Sequence, residues 1–305
     1  MHIHRFSFTA MASPCELHLL GDAKICQQAA QQAEQEVKRI EQKYSRYRPD
    51  SVLSQINQQA GSATTIDPET YFLLNYAQVC FQQSEGLFDI SSGVLRQAWN
   101  FKQPRLPDPS ELTPLLERIG LADLELSENQ VQMPATMEID FGGIGKEYAA
   151  DRAAAVCRQH GIHSGIVDLG GDLLVLGPKP DGSPWHLGVR NPRPTISGQN
   201  LNQTNNQAFA QLPVYEGGMA TSGDYERFFE LQGKRYCHLL NPHTGLPVDH
   251  WASVTVLAPS CLLAGTFSTI AMLKQAAASD WLKQQGLHFL AIYPDGSHLA
   301  MSGSQ

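Results

Sequence analysis

The sequence predicts a single mixed α/β unit spanning residues 1–305. Three observations carry that expectation. Apolar residues recur at helical spacing through much of the first half, and short β-branched or apolar runs dominate the second half. The two kinds of segment interleave, with no internal repeat and no long low-complexity tract between them. At 305 residues and 42% hydrophobic content the chain is long enough to bury a sizeable core.

The elements follow in order. Residues 24–45 place Ile25, Ala29, Ala33, Val37, Ile40 and Tyr44 on one helical face, with Gln, Glu and Lys opposite. A second helix opens at Asp67-Pro68-Glu69, a capping side chain followed by proline in the first turn, and fades at Gly86. A third opens at Asp108-Pro109-Ser110-Glu111, a capping box in outline, and stops at Gly120. A fourth covers residues 146–160 and ends at Gly161. Strands are expected at Ile166–Leu176, Trp185–Val189, Tyr225–Leu231 and Arg235–Leu240, with Gln232-Gly233 turning the last two into a hairpin. Ser253–Leu257 forms a further strand and leads into a helix from about Pro259 to Ala277. A short helix around Trp281 and strands at His288–Tyr293 and Leu299–Met301, joined at Asp295-Gly296, close the chain. Residues 191–211, rich in Asn, Gln, Pro and Ser, read as a mobile surface loop.

Composition excludes several classes. A net charge of −8 opposes binding along a nucleic-acid backbone, which needs a basic face. Six scattered cysteines without a C-x-x-C pair suggest neither a zinc site nor a disulfide framework. No apolar run approaches the roughly 18 residues of a membrane span, and the first residues have neither a basic n-region nor an apolar h-region. The expectation is a protein of a reducing, cytoplasmic compartment without membrane insertion.

The chemistry concentrates in three segments. Arg235-Tyr-Cys-His-Leu-Leu-Asn-Pro-His-Thr-Gly-Leu-Pro247 sets His238 beside a tight turn enforced by Asn241-Pro242 and Thr244-Gly245. Asp140-Phe-Gly-Gly-Ile-Gly-Lys-Glu-Tyr-Ala-Ala-Asp151 feeds a glycine-rich turn into a helix, a pattern that lets backbone N–H groups approach phosphate oxygens. It is not G-x-G-x-x-G, which disfavours a Rossmann reading. Gly165-Ile-Val-Asp-Leu-Gly-Gly-Asp172 is an apolar run ending in glycines, with Asp168 and Asp172 beside Gly170-Gly171. Each has an ordinary structural reading: a satisfied strand histidine, close packing at a glycine pair, loop capping by a carboxylate. Lys146 at a helix start is poorly placed for the dipole and easier to explain if it meets an anion.

Taken in order, and with Met11-Ala-Ser-Pro-Cys15, Tyr44-Ser-Arg-Tyr-Arg-Pro-Asp-Ser51 ahead of Asn57, Phe88-Asp89-Ile-Ser91 and Thr221-Ser-Gly-Asp224, these segments resemble the ApbE family of FAD:protein FMN transferases. The resemblance runs from about residue 5 to about residue 300. It implies a layered α/β sandwich around a mixed sheet. It also implies transfer of FMN from FAD to a Thr or Ser hydroxyl of an acceptor flavoprotein carrying a D-x-x-[S/T]-G-A-T type motif, with release of AMP. By that resemblance Met11, Tyr47, Phe88, Asp89, Asp140, Lys146 and Leu240 contact FAD, and His238 is the base that takes the hydroxyl proton.

The metal site departs from the family pattern. The resemblance implies a Mg²⁺ held by the Gly143 carbonyl and by an Asp and a Thr in an A-D-x-x-x-T pattern. This chain reads Ala264-Gly265-Thr-Phe-Ser-Thr269, keeping Thr269 and placing Gly265 at the Asp position. Losing a carboxylate weakens a Mg²⁺ site built on hard oxygen donors. Three outcomes stay open at this point: Asp140 or Asp168 supplies the charge, metal binds only together with the phosphates of FAD, or FAD is bound without transfer. Two alternatives follow: an FAD-binding protein without transfer, or a metal-dependent FAD pyrophosphatase. Gly265→Asp is expected to raise activity if the natural site is metal-deficient.

Overall fold

The computed structural model describes residues 2–193 and 208–301. A hairpin opens the chain, β1 (Ile3–Ala10) and β2 (Ser13–Leu20), followed by α1 (Ala23–Tyr44), α2 (Val52–Gln58), β3 (Thr64–Thr65) and α3 (Pro68–Gln83). After a 3-10 segment at Ile90–Gln97 come α4 (Pro109–Leu116), β4 (Glu125–Ser127), β5 (Gln130–Gln132) and α5 (Gly145–Gln159). The strands β6 (Gly165–Leu169), β7 (Asp172–Gly177), β8 (Trp185–Arg190), β9 (Ala208–Val214), β10 (Gly217–Gly223), β11 (Phe228–Leu231), β12 (Lys234–Cys237) and β13 (Ser253–Ala258) follow. The chain closes with α6 (Cys261–Lys274), α7 (Ala278–Gln284), β14 (His288–Ile292) and β15 (His298–Met301).

An eight-stranded sheet in the order β1-β2-β6-β7-β10-β13-β14-β15 gathers strands from both ends of the chain. The α/β class is as expected, but a mixed sheet is not what forms: every pairing in this sheet is antiparallel. Tight turns join β1 to β2, β6 to β7 and β14 to β15, and such hairpins can only be antiparallel. One face carries α5 against β7 and α6 against β10 and β13, with α1 packed on α5. Its core runs through Val37, Ile40, Ala149, Ala153, Val254 and Ile270. The opposite face is covered by the β8–β9 ribbon through Trp185, Leu187 and Val214. A separate aromatic cluster of Trp99, Phe229 and Tyr236 joins α4 and the 3-10 segment to the β11–β12 ribbon.

Local chemistry explains the elements that match. The Asp67 carboxylate accepts from the Thr70 N–H with Pro68 in the first turn, Asp108 and Glu111 form a reciprocal capping box, and Gly161 takes φ 77° after α5. Gln232 and Gly233, at φ 51° and 77°, make the β11–β12 turn.

The differences also have local causes. The β1–β2 hairpin was not expected, because its turn is Met11-Ala12 at φ 51° and 57°, a left-handed pair without glycine or asparagine. The single strand expected over Ile166–Leu176 is the hairpin β6–β7, since Gly170 and Gly171 at φ 65° and 94° reverse the chain inside an apolar run. Ile25 is exposed on α1 and Cys26 is buried in its place. No strand precedes Asp140; its N–H donates to the Ile90 carbonyl within an irregular segment. The helix expected to reach Gly120 ends at Leu116, and the strand expected from Tyr225 starts at Phe228. β12 stops at Cys237, so His238 follows the strand rather than lying in it. Thr221–Gly223 lie within β10. Of the loop expected at 191–211, residues 194–207 lie outside the described residues and Ala208–Gln211 begin β9.

Residues Cys261–Gln284 are long and apolar enough to cross a membrane by composition, which the linear reading did not register. Sixty-one per cent of its most apolar 18-residue stretch is buried in the fold, and α6 packs against the sheet and α5, as in a core helix.

Candidate functional site

Three structural edges converge around Lys146. The β1–β2 turn presents Met11, whose N–H donates to Glu41 Oε1 at 2.6 Å and whose side chain packs on the core. The β6–β7 turn comes against it: a Cβ on Gly170 would lie 2.7 Å from Ser13 Cβ and 3.6 Å from Lys146 Nζ. Beneath both, α5 begins without a side-chain cap, whereas Asp22, Ser51, Asp67, Asp108 and Ser260 cap α1, α2, α3, α4 and α6. An uncapped start of a 15-residue helix leaves N–H groups and a positive dipole end for an anion.

Lys146 Nζ lies 2.9 Å from Asp172 Oδ2 and donates to the Gly170 carbonyl at 3.5 Å. Burial works against its charge, but Asp172 and Glu147 outweigh burial and keep the ammonium pKa above its usual range. The Asp172 carboxyl is pushed up by burial against the pull of Lys146, and the Asp168 carboxyl is pushed up by burial while accepting from the Gly171 N–H at 2.8 Å. Glu147, 8% exposed, is pushed up by burial and by Asp172, and its Oε2 has no hydrogen-bond partner. Linear reading missed Glu147. An acidic residue in the first turn of a helix is ordinary dipole chemistry, and only its inward orientation marks it.

His238 sits just beyond β12, its N–H donating to the Arg227 carbonyl at 3.0 Å. Its Nδ1 is buried with no hydrogen-bond partner. Burial, Arg227 and Lys146 push the imidazole pKa down to about 4, so the ring is neutral near pH 7. The following turn is tightly specified: Asn241 Oδ1 accepts from the His243 and Thr244 N–H groups, Trp99 Nε1 donates to the Gly245 carbonyl, and Leu240 bridges to Pro247 while packing in the aromatic cluster.

The other expected residues divide. Arg46 pairs with Asp140 and donates to the Tyr47 hydroxyl at 2.8 Å, so this cation ties two expected contacts together. Asp140 Oδ1 also accepts from the Gly142 N–H at 3.0 Å. Tyr47 is 81% exposed, an unusual state for an aromatic ring and one suited to stacking. A groove of about 620 Å³ lined by Arg46, Asn57, Arg118, Met137 and Glu138 adjoins this pair. Phe88 is buried, and a Cβ on Gly143 would lie 3.3 Å from its ring. Asp89 is occupied structurally: Oδ1 accepts from the Ser91 N–H and hydroxyl and Oδ2 from the Leu121 N–H. Thr269, on α6, shares a hydrogen bond of 2.9 Å with Ser222 of β10, whose hydroxyl also lies 2.8 Å from Ser268. Among the described residues there is no group of three or more His, Cys, Asp or Glu side chains arranged to hold a metal.

A divalent ion here would therefore need hydroxyl and carbonyl oxygens among its donors. The Thr269 hydroxyl, the Gly143 carbonyl and the unpartnered Glu147 Oε2 are all hard oxygens, so the chemistry fits Mg²⁺.

Comparison with known proteins places the chain among its relatives. The model of the ApbE family matches residues 11–291. The FAD:protein FMN transferase of Treponema pallidum is 32% identical over 281 residues, covering 84% of this chain and 74% of that protein. The ApbE protein of Thermotoga maritima superposes with a TM-score of 0.87 at 28% identity, covering 99% of this chain and 97% of that one. The flavinyl transferase ApbE of Pseudomonas stutzeri, in its apo form, gives 0.84 at 26% identity, covering 99% and 95%. The chain belongs to the ApbE family.

Proposed function

We propose that this protein transfers the FMN moiety of FAD to a Thr or Ser hydroxyl of an acceptor flavoprotein. The hydroxyl oxygen bonds to the FMN phosphorus, the bond from that phosphorus to the bridging pyrophosphate oxygen breaks, and AMP leaves. The observation that carries the reading is an uncapped helix start with Lys146 in its first turn, together with a buried imidazole unpartnered at Nδ1 that feels the lysine's charge. The anion-binding parts suit the pyrophosphate, and the imidazole suits the hydroxyl proton.

The low basicity of His238 in the free protein has a functional reading. Two nearby cations and burial depress its pKa, and an incoming pyrophosphate offsets those cations. Substrate binding thus raises the basicity of the ring where the proton must be taken. Lys146 and the α5 start hold the pyrophosphate, Arg46 and Asp140 fix Tyr47 at the edge of the site, and the exposed Tyr47 ring offers a stacking face.

A divalent ion would be held by the Thr269 hydroxyl and the Gly143 carbonyl, and when bound it would neutralise pyrophosphate charge. A D-x-x-[S/T]-G-A-T type segment is the proposed acceptor. Six unpaired, buried thiols support a reducing, cytoplasmic location.

The test separates chemistry from binding. His238→Ala is expected to lower transfer roughly 10²–10⁴-fold while FAD affinity, read by fluorescence titration, stays near wild type. Lost FAD affinity with an unchanged rate at saturation would make His238 a binding residue and refute its role as base.

A further inference from the structure

Gly265 and Glu147 lie on two helices, α6 and α5, that pack against each other. A Cβ built on Gly265 would lie 2.4 Å from Glu147 Cγ, 3.0 Å from Oε1 and 3.1 Å from Cδ. The space that any side chain at position 265 would take is filled by the Glu147 side chain reaching across from α5. Both residues are buried, and Glu147 Oε2 has no hydrogen-bond partner. A buried carboxylate oxygen without a partner is costly, and here the Asp172 carboxylate lies beside it with Lys146 already engaged by Asp172. A cation facing that oxygen would supply the partner it lacks.

The surroundings say which kind. Thr269 is one helical turn beyond Gly265 on α6, so the two positions share a face, and the Thr269 hydroxyl is presented there toward Ser222 of β10. Gly143 precedes Glu147 by four residues, in the turn that leads into α5. A carboxylate, a hydroxyl and a backbone carbonyl are a hard-oxygen set of the sort Mg²⁺ or Mn²⁺ takes, with remaining positions left for water and phosphate oxygens.

We propose that Glu147 is a ligand of the divalent cation that works with FAD, supplying from α5 the carboxylate that α6 lacks at Gly265. The site is then not deprived of its carboxylate but has it on the facing helix, and Gly265 is the vacancy that lets the side chain in. This inference rests on the flavin-transfer reading. It also reverses the outcome expected for Gly265→Asp alone: with Glu147 present, an Asp side chain has no room, and the substitution lowers activity rather than raising it.

The test is Mn²⁺ binding, followed by the paramagnetic resonance of free Mn²⁺, with the full chain held in saturating FAD. Glu147→Gln keeps the shape and removes the charge, and is expected to weaken Mn²⁺ binding at least about tenfold with metal-free FAD binding retained. A second variant, Glu147→Gly with Gly265→Asp, moves the carboxylate to α6 and is expected to recover most of the lost affinity. Wild-type Mn²⁺ affinity in Glu147→Gln would overturn the proposal, because a protonated core glutamate would be mimicked by glutamine. Should that variant fail to fold, the exchange variant decides: no Mn²⁺ affinity there overturns it. Absence of Mn²⁺ binding by the wild-type protein with FAD present would instead sink the metal-assisted reading itself, and the proposal with it.

Discussion

Replacing Gly265 by alanine puts two opposing magnitudes against each other. In a helix interior alanine is favoured over glycine by about 1 kcal/mol. The added methyl, however, would lie 2.4 Å from Glu147 Cγ, far inside the ~3.5 Å of ordinary carbon contact. The clashing atom is close to the α5 backbone rather than at the free end of a flexible chain, and Glu147 is buried, so relief requires a shift of packed helices. Overpacking of that kind costs roughly 1–3 kcal/mol, toward the upper end here, for a net loss of about 1–2 kcal/mol after the helix gain. The assay is urea unfolding with the midpoint compared at constant m-value. Glu147→Ala removes Cγ and beyond, so in the double variant alanine at 265 should contribute its helix gain unopposed. The cycle is then expected to show a coupling of roughly 2–3 kcal/mol. A Gly265→Ala protein as stable as wild type, with additive cycle energies, would refute the packing on which the reading of these two residues depends.

Two other outcomes are expected. The His238 pKa of about 4 in the folded state lies below the ordinary ~6.5 of an unfolded histidine. Above pH 6.5 the ring is neutral in both states and contributes no slope, whereas between pH 6.5 and 4 only the unfolded chain takes the proton, and stability is lost. The loss reaches at most about 3 kcal/mol, and unfolding measured across pH should show a shallower acid slope for His238→Asn; superimposable slopes would contradict the burial argument. Ala12→Gly should stabilise the protein by roughly 0.5–1 kcal/mol, since alanine at φ 57° carries a left-handed penalty that glycine avoids; a lower urea midpoint would show that the turn is not strained.

What could be read from the chain was whatever local chemistry dictates. Asp67-Pro68, the Asp108–Glu111 box and Gly161 mark helix ends because caps act over three or four residues, and the α/β class followed from the same punctuation. Turns without their usual residues were not legible: Met11-Ala12 contains no glycine, and Gly170-Gly171 is hidden inside an apolar run. The site residues divide along the same line. Asp140, Lys146 and His238 stood out as polar groups in glycine-rich or turn settings, and Thr269 only through the family resemblance, but nothing local distinguishes Asp89, a backbone bracket, from Asp140, an ion-pair partner of Arg46. Glu147 could be valued only once α5 and α6 were seen side by side, because its significance is the space at Gly265. The expected weakness of the metal site rests on Gly265 of α6, and the role proposed for Glu147 would answer it from α5.

The central claim is transfer itself, and intact-mass analysis of an acceptor domain after incubation with this protein, FAD and Mg²⁺ tests it most directly. The account predicts a gain of one FMN per acceptor, release of AMP, and loss of both when EDTA is present. An acceptor of unchanged mass beside tightly bound FAD would contradict it and leave the protein a flavin binder.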